Sequence, residues 1–299
     1  MKHSSKITAI LLMFFLCAQF IGLFVINKYI DYDSLKETGK VDFKPLPMGL
    51  ESPQTAGAES LITIIFAVLI GTALALLLIK FRAGMLWRLW FLFAVFVTLS
   101  VAFNSFMPVT MAITLAVIFA FSKVFLRDFY VHNFTELFIY GGLAAIFINM
   151  IDFYVAAVLL LLISAYDAYA VWKSKHMIAL AKFQTNSKLF AGIVIPYKAG
   201  EVVKTDHKKI KKVKVRTAIL GGGDIGFPLL FSGAVFKELI LNNSVLVSFA
   251  KISVIPLFTT LALGWLLYKA DKDKFYPAMP FISAGCFAGF FVMKLIGFI

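Results

Sequence analysis

The sequence predicts an all-α membrane protein with nine transmembrane helices, its amino terminus in the cytoplasm and its carboxyl terminus outside it. Hydrophobic residues make up 61% of the 299 residues and charged residues only 15%, whereas soluble proteins average roughly 45–50% and about 25%. Apolar runs of the roughly 20 residues that cross a bilayer recur along the chain. The basic residues are also unevenly divided between alternate loops, which sets the orientation of such a chain.

Nine apolar runs predict the spans. The fifth and sixth are separated only by residues 149–152, which predicts a tight helical hairpin with Asp152 in the loop or at the helix start. The first run follows Lys2, His3 and Lys6, as a signal peptide would, but it is longer than a signal core and lacks a clear cleavage site, so we expect a retained helix. The predicted spans are about 7–27, 61–79, 85–106, 109–126, 134–150, 153–172, 217–236, 245–268 and 277–298.

Twenty-two lysine and arginine residues fall on one side of these spans and five on the other. Basic residues near span ends are held in the cytoplasm, so the richer side is the cytoplasmic one. The formal net charge of +13 therefore reflects orientation and attraction to anionic lipids at the cytoplasmic face, and we expect no nucleic-acid partner. The expected location is the cell membrane, or an internal membrane in a eukaryote, as a multi-pass protein.

The loops predict no separate domain, so residues 1–299 are expected to form a single polytopic membrane domain. Six spans lie at about 7–172 and three at about 217–298, with a long cytoplasmic loop at 173–216 between them. Its basic end, "KKIKKVKVRTAI" at 208–219, alternates apolar and charged residues and so predicts a strand with one apolar face. A basic membrane-surface segment is the alternative interpretation. The alternating residues are Val213, Val215 and Thr217 against Lys212, Lys214 and Arg216.

Several catalytic classes are excluded by the residues that the chain lacks. Cys17 and Cys286 lie in apolar spans near opposite ends of the chain, which favours packing over a disulfide or a metal site. The four histidines lie outside the predicted span interiors and no HExxH motif exists, so we expect no metal and no histidine-activated serine. Residues 221–226 satisfy GxGxxG without the βαβ unit that a dinucleotide site needs. The histidines are His3, His132, His176 and His207.

Two acids remain inside the predicted spans, Asp167 and Asp224. Ionisable groups at membrane depth cost roughly 2.5–3.5 kcal/mol and usually face a partner or a hydrated cavity. Asp167 precedes the boundary residue Lys173 by six positions and Asp224 follows Arg216 by eight, which places them about 9 and 12 Å from the same inner boundary. Because their spans are consecutive and antiparallel, the two acids are expected to face each other.

A matched pair of buried acids is compatible with three roles. Each acid could hydrogen-bond a neighbouring helix, or the pair could carry protons or cations as part of a coupled transporter. The third role is acid–base hydrolysis, in which two carboxylates share a proton, one activating water while the other protonates the substrate carbonyl. Hydrolysis of this kind requires no cofactor. The chain contains no convincing internal repeat, which disfavours an inverted-repeat transporter.

Three short motifs follow one another in the predicted spans. They are Tyr166–Asp167 in the sixth span, Gly221–Gly222–Gly223–Asp224 in the seventh and Pro277–Ala278–Met279–Pro280 at the start of the ninth. In this order, on nine spans, they resemble the YD, GxGD and PAL motifs of the presenilin and signal peptide peptidase family of intramembrane aspartyl proteases. Prepilin-peptidase-like enzymes share GxGD but neither the span count nor the third motif. Met279 stands where the family has leucine, a change of similar volume that packing should tolerate.

The resemblance implies that Asp167 and Asp224 are catalytic, with Tyr166 and residues 221–223 as the active-site scaffold. It also implies that the PAL-like residues 277–280 hold the substrate, a transmembrane helix of another protein or a signal peptide. A helical substrate must be unwound before its amide can be cleaved. We therefore hypothesise that Val213 and Val215 pair with unwound substrate by strand addition. The sequence leaves open the natural substrates, the cleavage positions, the oligomeric state, cutting of the 173–216 loop and the identity of the base.

Overall fold

The computed structural model describes most of the chain, and that part is mostly helical. It describes residues 4–51, 55, 57–81, 83–126, 128–174, 190–203, 212–271 and 276–298. Some residues used in the sequence analysis lie outside these ranges, among them many of the basic residues that predict the orientation. These are Lys2, His3, Arg82, Arg127, His176, His207 and most of the basic residues of the 173–216 loop.

The described residues form eleven α-helices and two small antiparallel sheets. Short 3-10 turns lie at Pro47–Gly49 and Ile148–Met150, and π-helical turns at Ser122–Leu126 and Ala170–Ser174. The helices are α1 (Ser5–Tyr29), α2 (Tyr32–Thr38), α3 (Ala58–Lys80), α4 (Gly84–Asn104), α5 (Val109–Phe121), α6 (Phe129–Phe147), α7 (Phe153–Tyr169), α8 (Gly222–Asn242), α9 (Val245–Ile252), α10 (Val254–Lys269) and α11 (Met279–Leu295). The sheets pair β1 (Ile30–Asp31) with β2 (Asp42–Phe43) and β3 (Gly192–Val203) with β4 (Lys212–Gly221).

Short polar side chains begin two of the central helices. Asp128 accepts a hydrogen bond from the N–H of Val131 at the start of α6. Asp152 accepts one from Val155 at the start of α7. Each carboxylate satisfies a backbone donor that the first helical turn leaves free. The predicted hairpin between the fifth and sixth spans, with Asp152 at a helix start, is confirmed.

Helix α8 lies at the centre of the bundle and contacts α1, α6, α7, α9, α10 and α11. Thirteen of its residues are buried, from Ile225 to Ile240. A helix that is apolar all round packs inside a bundle and not at its surface. Other helices therefore surround the seventh predicted span, and these contacts fix the position of α8 in the bundle.

Helix α3 is peripheral and contacts α4 and α7. Its exposed side chains are large and apolar, with Ile62, Phe66 and Leu69 each more than half exposed, as expected of a surface that faces lipid. Six helical segments of the described residues are long and apolar enough to cross a membrane. They are Ser5–Tyr29, Gly84–Asn104, Val109–Leu126, Phe129–Met150, Phe153–Lys173 and Val245–Lys269.

The β3–β4 hairpin confirms the strand predicted within residues 208–219. Residues 212–219 lie in β4, which continues to Gly221, and residues 208–211 lie outside the described residues. Ala218 and Leu220 are buried, whereas Thr217 is exposed. The face that carries Thr217 is thus not the one packed against the bundle. The prediction that the seventh span starts at 217 is wrong, because β4 continues to Gly221 and α8 begins only at Gly222.

His132, expected to lie outside the span interiors, lies in the first turn of α6. Two further expectations are corrected by the helix boundaries. Lys237, one of the five basic residues counted on the outer side, lies in α8 and donates to the carbonyl of Ile148 at 2.8 Å. The eighth run divides at Ser253 into α9 and α10, because Pro256 has no N–H to donate to the carbonyl of Ile252.

Candidate active site

Asp167 and Asp224 lie at the same end of two neighbouring helices. Asp167 is in the last turn of α7, and Asp224 is the third residue of α8. Asp167 is 7% exposed, Asp224 is half-buried, and the two carboxylates interact electrostatically. The depth estimate for Asp224 assumed helix from Arg216 onward and is wrong, because residues 217–221 are extended. The two acids nevertheless lie near each other, because the carboxyl end of α7 and the amino end of the neighbouring α8 are on the same side of the bundle.

The start of α8 is arranged around the carboxylate of Asp224. Gly221 is the N-cap residue, and its backbone N–H faces the Asp224 carboxylate three residues later. An acid at this third position commonly reaches back to the N-cap N–H, and the helix dipole favours negative charge there. The first turn of α8 therefore offsets part of the cost of placing a carboxylate inside the bundle.

The turn after Asp224 lacks one of its helical hydrogen bonds. Pro228, inside α8, has no N–H for the carbonyl of Asp224 four residues earlier. On the next residue, the side chain of Gln19 in α1 donates to the carbonyl oxygen of Ile225 at 2.9 Å. Gln19 is fully buried. A side chain from another helix thus supports the backbone beside the acid, a contact that the sequence analysis missed because a lone glutamine in an apolar run carries no pairing signal.

The three glycines before Asp224 have different environments. A Cβ on Gly222 would lie 2.7 Å from the Tyr140 hydroxyl oxygen and 3.0 Å from a ring carbon, so any side chain would displace this tyrosine. A Cβ on Gly221 would lie 3.2 Å from Asp224 Oδ2. A Cβ on Gly223 would meet Phe227 at an ordinary 3.5 Å. Packing within the chain therefore accounts for Gly222, while the scaffold role implied for Gly223 is not explained by packing and stays a prediction.

The PAL-like segment lies against Asp167. The backbone N–H of Met279 donates to Asp167 Oδ2 at 3.1 Å, and the N–H of Ala278 also faces this carboxylate. Pro277 is buried just before α11, and Pro280 is in its first turn. The third motif is thus brought to the first one by a backbone hydrogen bond, and Met279, which is 3% exposed, points into the core.

Two serines, not anticipated from the sequence, fasten this segment to α7. The hydroxyl of Ser164 donates to the carbonyl oxygen of Met279 at 3.2 Å and lies 2.7 Å from the Ser283 hydroxyl. Ser283 also donates to the carbonyl oxygen of Leu160 at 3.4 Å. Their spacing was a usable signal, because Ser164 is three residues before Asp167 and Ser283 four after Met279, each on the same helix face as its motif residue.

The remaining predicted residues are less closely described. Tyr166 is half-buried beside Asp167. Val213 and Val215 lie on β4, which runs directly into α8 at Gly221, and their backbone alone is described.

The count of two acids inside the spans is wrong. Glu136 in α6 is 1% exposed and pairs with the equally buried Lys123 at 2.7 Å; Lys123 is one of the 22 basic residues counted on the cytoplasmic side.

Comparison with known proteins gives a family and a fold. The family described as signal-peptide peptidase, presenilin aspartyl protease matches residues 45–299. A solved structure of a presenilin family intramembrane aspartate protease in space group C222 is similar at 18% identity and a TM-score of 0.61, covering 97% of this chain and 99% of the other. A second, in space group P2, is similar at 19% identity and a TM-score of 0.59, covering 96% of each chain.

No curated protein matches the sequence. At these identities the two solved structures show the fold, and the family match, which spans most of the chain, shows the relationship. The resemblance inferred from the three motifs is thereby confirmed. The chain belongs to the signal-peptide peptidase and presenilin family of aspartyl proteases, and it is a multi-pass intramembrane aspartic endopeptidase whose substrates are transmembrane segments.

Proposed function

We propose that Asp167 and Asp224 are the catalytic pair of this protease. The observation that carries the proposal is that the two acids lie at the same end of the neighbouring helices α7 and α8, close enough for one charge to influence the other, with the backbone of the PAL-like segment hydrogen-bonded to Asp167. One carboxylate takes a proton from water as the water oxygen attacks the scissile carbonyl carbon. The other gives a proton to the carbonyl oxygen, and the carbon–nitrogen bond then breaks as the amine is protonated.

The transporter alternative uses the same acids and receives no support from the family assignment. The two roles differ in what the acids must do. A protease needs both carboxylates on one amide, whereas a carrier needs to expose them in turn to the two sides of the membrane. The hydrogen bond from Met279 ties Asp167 to a neighbouring helix, which suits a site that is held in one place.

We infer that unwound substrate adds to β4 and not to β3. The side-chain amide of Asn133 donates to the carbonyl oxygen of Val194 at 2.9 Å and accepts from its N–H at 3.0 Å. His132 Nε2 lies 2.8 Å from the carbonyl oxygen of Gly192. Pro196, two residues beyond Val194, has no N–H. Three successive residues of β3 therefore cannot offer a full set of backbone groups to a new strand at its outer edge: Gly192 and Val194 contact side chains of α6, and Pro196 has no N–H.

The register identifies the β4 residues whose backbone groups point away from β3. Because both backbone groups of Val194 face Asn133, Val194 and its partner Ile219 are a non-hydrogen-bonded pair. Such pairs alternate along an antiparallel ladder, so Thr217 and Val215 also direct their N–H and C=O away from β3. Val213 lies two residues before Val215 on β4, beyond an irregularity of the register between Lys198 and Val202 of β3, and we assign it the same outward direction from its parity on β4. The two valines selected from the sequence are thus outward-facing backbone positions suited to strand addition.

We also propose that the chain is one membrane domain, residues 1–299, in which nine helical segments cross the bilayer with the amino terminus in the cytoplasm. In this proposal the six strongly apolar segments cross the membrane, and α3, α8 and α11 are the other three spans. Their similarity in arrangement to the presenilin-family structures supports it. Anionic lipids would then face the basic cytoplasmic loops, in the cell membrane or in an internal membrane of a eukaryote.

The catalytic pair is tested by replacing each aspartate with asparagine, which nearly matches its shape and carries no charge. Asp167→Asn and Asp224→Asn are each expected to abolish cleavage of a purified single-span reporter, and the double variant should be no worse than either, because each role requires the other. All three variants should remain folded. Substantial cleavage by either single variant, or proton or cation flux into vesicles without any cleavage by the parent protein, would contradict the proposal.

The strand proposal is tested with proline on β4. Val213→Pro or Val215→Pro removes an outward N–H while leaving the β3–β4 ladder intact, so reporter turnover should fall at least about fivefold through lost backbone pairing. Val215→Thr keeps the N–H and the strand propensity and should cleave at the parental rate. Normal turnover by both proline variants would reject strand addition at this edge.

The PAL-like segment is tested at its prolines. Pro277→Ala and Pro280→Ala should impair cleavage by allowing α11 to extend toward Asp167, since alanine supplies the N–H and the helix propensity that proline lacks. Met279→Leu should retain activity, because the volumes are similar and the hydrogen bond to Asp167 comes from the backbone. Full activity in both proline variants would mean that these prolines serve only to begin a helix.

The orientation is tested by cysteine accessibility in a variant lacking Cys17 and Cys286. Lys40→Cys, in the loop predicted to lie outside, should react with a membrane-impermeant maleimide in intact cells. Lys173→Cys, at the inner end of α7, should react only after the membrane is permeabilised. The reverse pattern would overturn the proposed orientation.

A further inference from the structure

A buried charged cluster lies between α5 and α6, away from the two aspartates. We call Lys123, His132, Glu136 and Tyr140 the Lys123 cluster. Lys123 Nζ lies 2.7 Å from Glu136 Oε1, 3.0 Å from the hydroxyl of Thr135 and 3.3 Å from both the carbonyl oxygen and Nδ1 of His132. The side chains of Lys123 and Glu136 are each 1% exposed. Lys123 sits in the π-helical turn Ser122–Leu126, an irregularity frequent at functional sites.

One arm of the cluster reaches the first turn of α8. The second oxygen of Glu136, Oε2, accepts a hydrogen bond from the Tyr140 hydroxyl. The tyrosine occupies the space in which a side chain at position 222 would lie, and its ring lies 3.9 Å from where a Cβ of Gly226 would be. The phenol therefore rests on one face of the turn that carries Asp224, and it interacts electrostatically with that acid.

The other arm reaches the base of the β3–β4 hairpin. A lysine ammonium can only donate, so the contact from Lys123 makes His132 Nδ1 an acceptor and leaves the ring proton on Nε2. Nε2 can then donate to the carbonyl oxygen of Gly192 at 2.8 Å. Gly192 pairs with Gly221, the residue at which β4 becomes α8. Both arms thus end within three residues of Asp224.

A buried ion pair is a poor means of adding stability. The cost of removing two charges from water usually cancels their attraction, and apolar replacements of similar volume are often neutral or stabilising. The apolar contacts of α5 and α6 with α4 would hold these helices together without it. The Lys123 cluster is therefore better explained by the geometry that it fixes than by the free energy that it contributes.

We propose that the Lys123 cluster is a positioning site that sets the first turn of α8 and the base of the hairpin relative to each other, so that a substrate strand on β4 delivers its scissile amide to Asp224. This inference rests on the proposed catalytic role of Asp224. Tyr140 and His132 transmit the position, and Lys123 with Glu136 fixes both of them. None of the four acts directly on the substrate amide.

Tyr140→Phe tests the proposal by removing one oxygen. With a single-span reporter, kcat should fall about tenfold because Asp224 is no longer held in register, while KM should stay the same because the β4 edge is untouched. The affinity for a peptide carrying a hydroxyl in place of the scissile carbonyl should weaken by the same factor, since such a mimic needs the aligned acids. Tyr130→Phe, on the same helix but 79% exposed, is the matched control and should behave as the parent.

A double variant separates positioning from stability. Lys123→Met with Glu136→Met removes both charges without leaving either unpaired, so the thermal unfolding temperature should be close to parental while kcat again falls about tenfold. Parental kcat in either the double variant or a folded Tyr140→Phe protein would overturn the proposal. The proposal would also be overturned if, across the variants, kcat fell only in proportion to the fall in thermal unfolding temperature. Cleavage retained by Asp224→Asn would instead refute the catalytic assignment beneath it.

Discussion

The first turn of α8 must hold a carboxylate inside the bundle, and much of the surrounding structure serves that constraint. The helix N-terminus and the N–H of Gly221 supply the favourable field for Asp224. Because Pro228 has no N–H, the carbonyl of Asp224 lacks its helical donor. The side chain of Gln19, in α1, donates to the carbonyl of the next residue, Ile225. A polar site thus exists in a helix of which 13 of the 21 residues are buried.

The same turn explains why a strand precedes the acid. Residues 217–221 are extended and pair with β3, and the helix begins only at Gly222. An extended segment offers backbone groups on its open edge, whereas a helix would have used them internally. Because the edge of β3 is taken by Asn133 and His132, the edge proposed to receive substrate is that of β4, which continues directly into the turn that carries Asp224. Substrate unwinding and hydrolysis are therefore proposed to occur on one continuous piece of chain.

Much of this arrangement could be predicted from the sequence, because hydropathy and charge identify the helices and the YD, GxGD and PAL motifs identify the acids and the segment opposite them. The alternation within residues 208–219 alone predicts the strand that the structure forms at 212–221. Its end was misplaced, since an apolar run such as "TAILGGG" continues smoothly from strand into helix and hydropathy cannot mark the change. The supports of the site are single polar residues in apolar runs. Ser164 and Ser283 share a helix face with a motif residue, which is a usable signal, whereas the partner of Gln19 is fixed only by the packing of distant helices.

The buried pair of Lys123 and Glu136 was missed for a different reason, which the reasoning applied to the aspartates could have corrected. Asp167 and Asp224 were matched because two acids near one boundary, on antiparallel neighbours, must meet. Lys123 lies close to the end of α5 and Glu136 seven residues into α6, so at about 1.5 Å per residue they stand within about two helical turns of the same boundary. A lysine near a span end is ordinarily assigned to the interface, where it can snorkel. Opposite a glutamate on the next helix, it has a stronger partner than water, and the π-helical turn that carries it brings its ammonium to that partner.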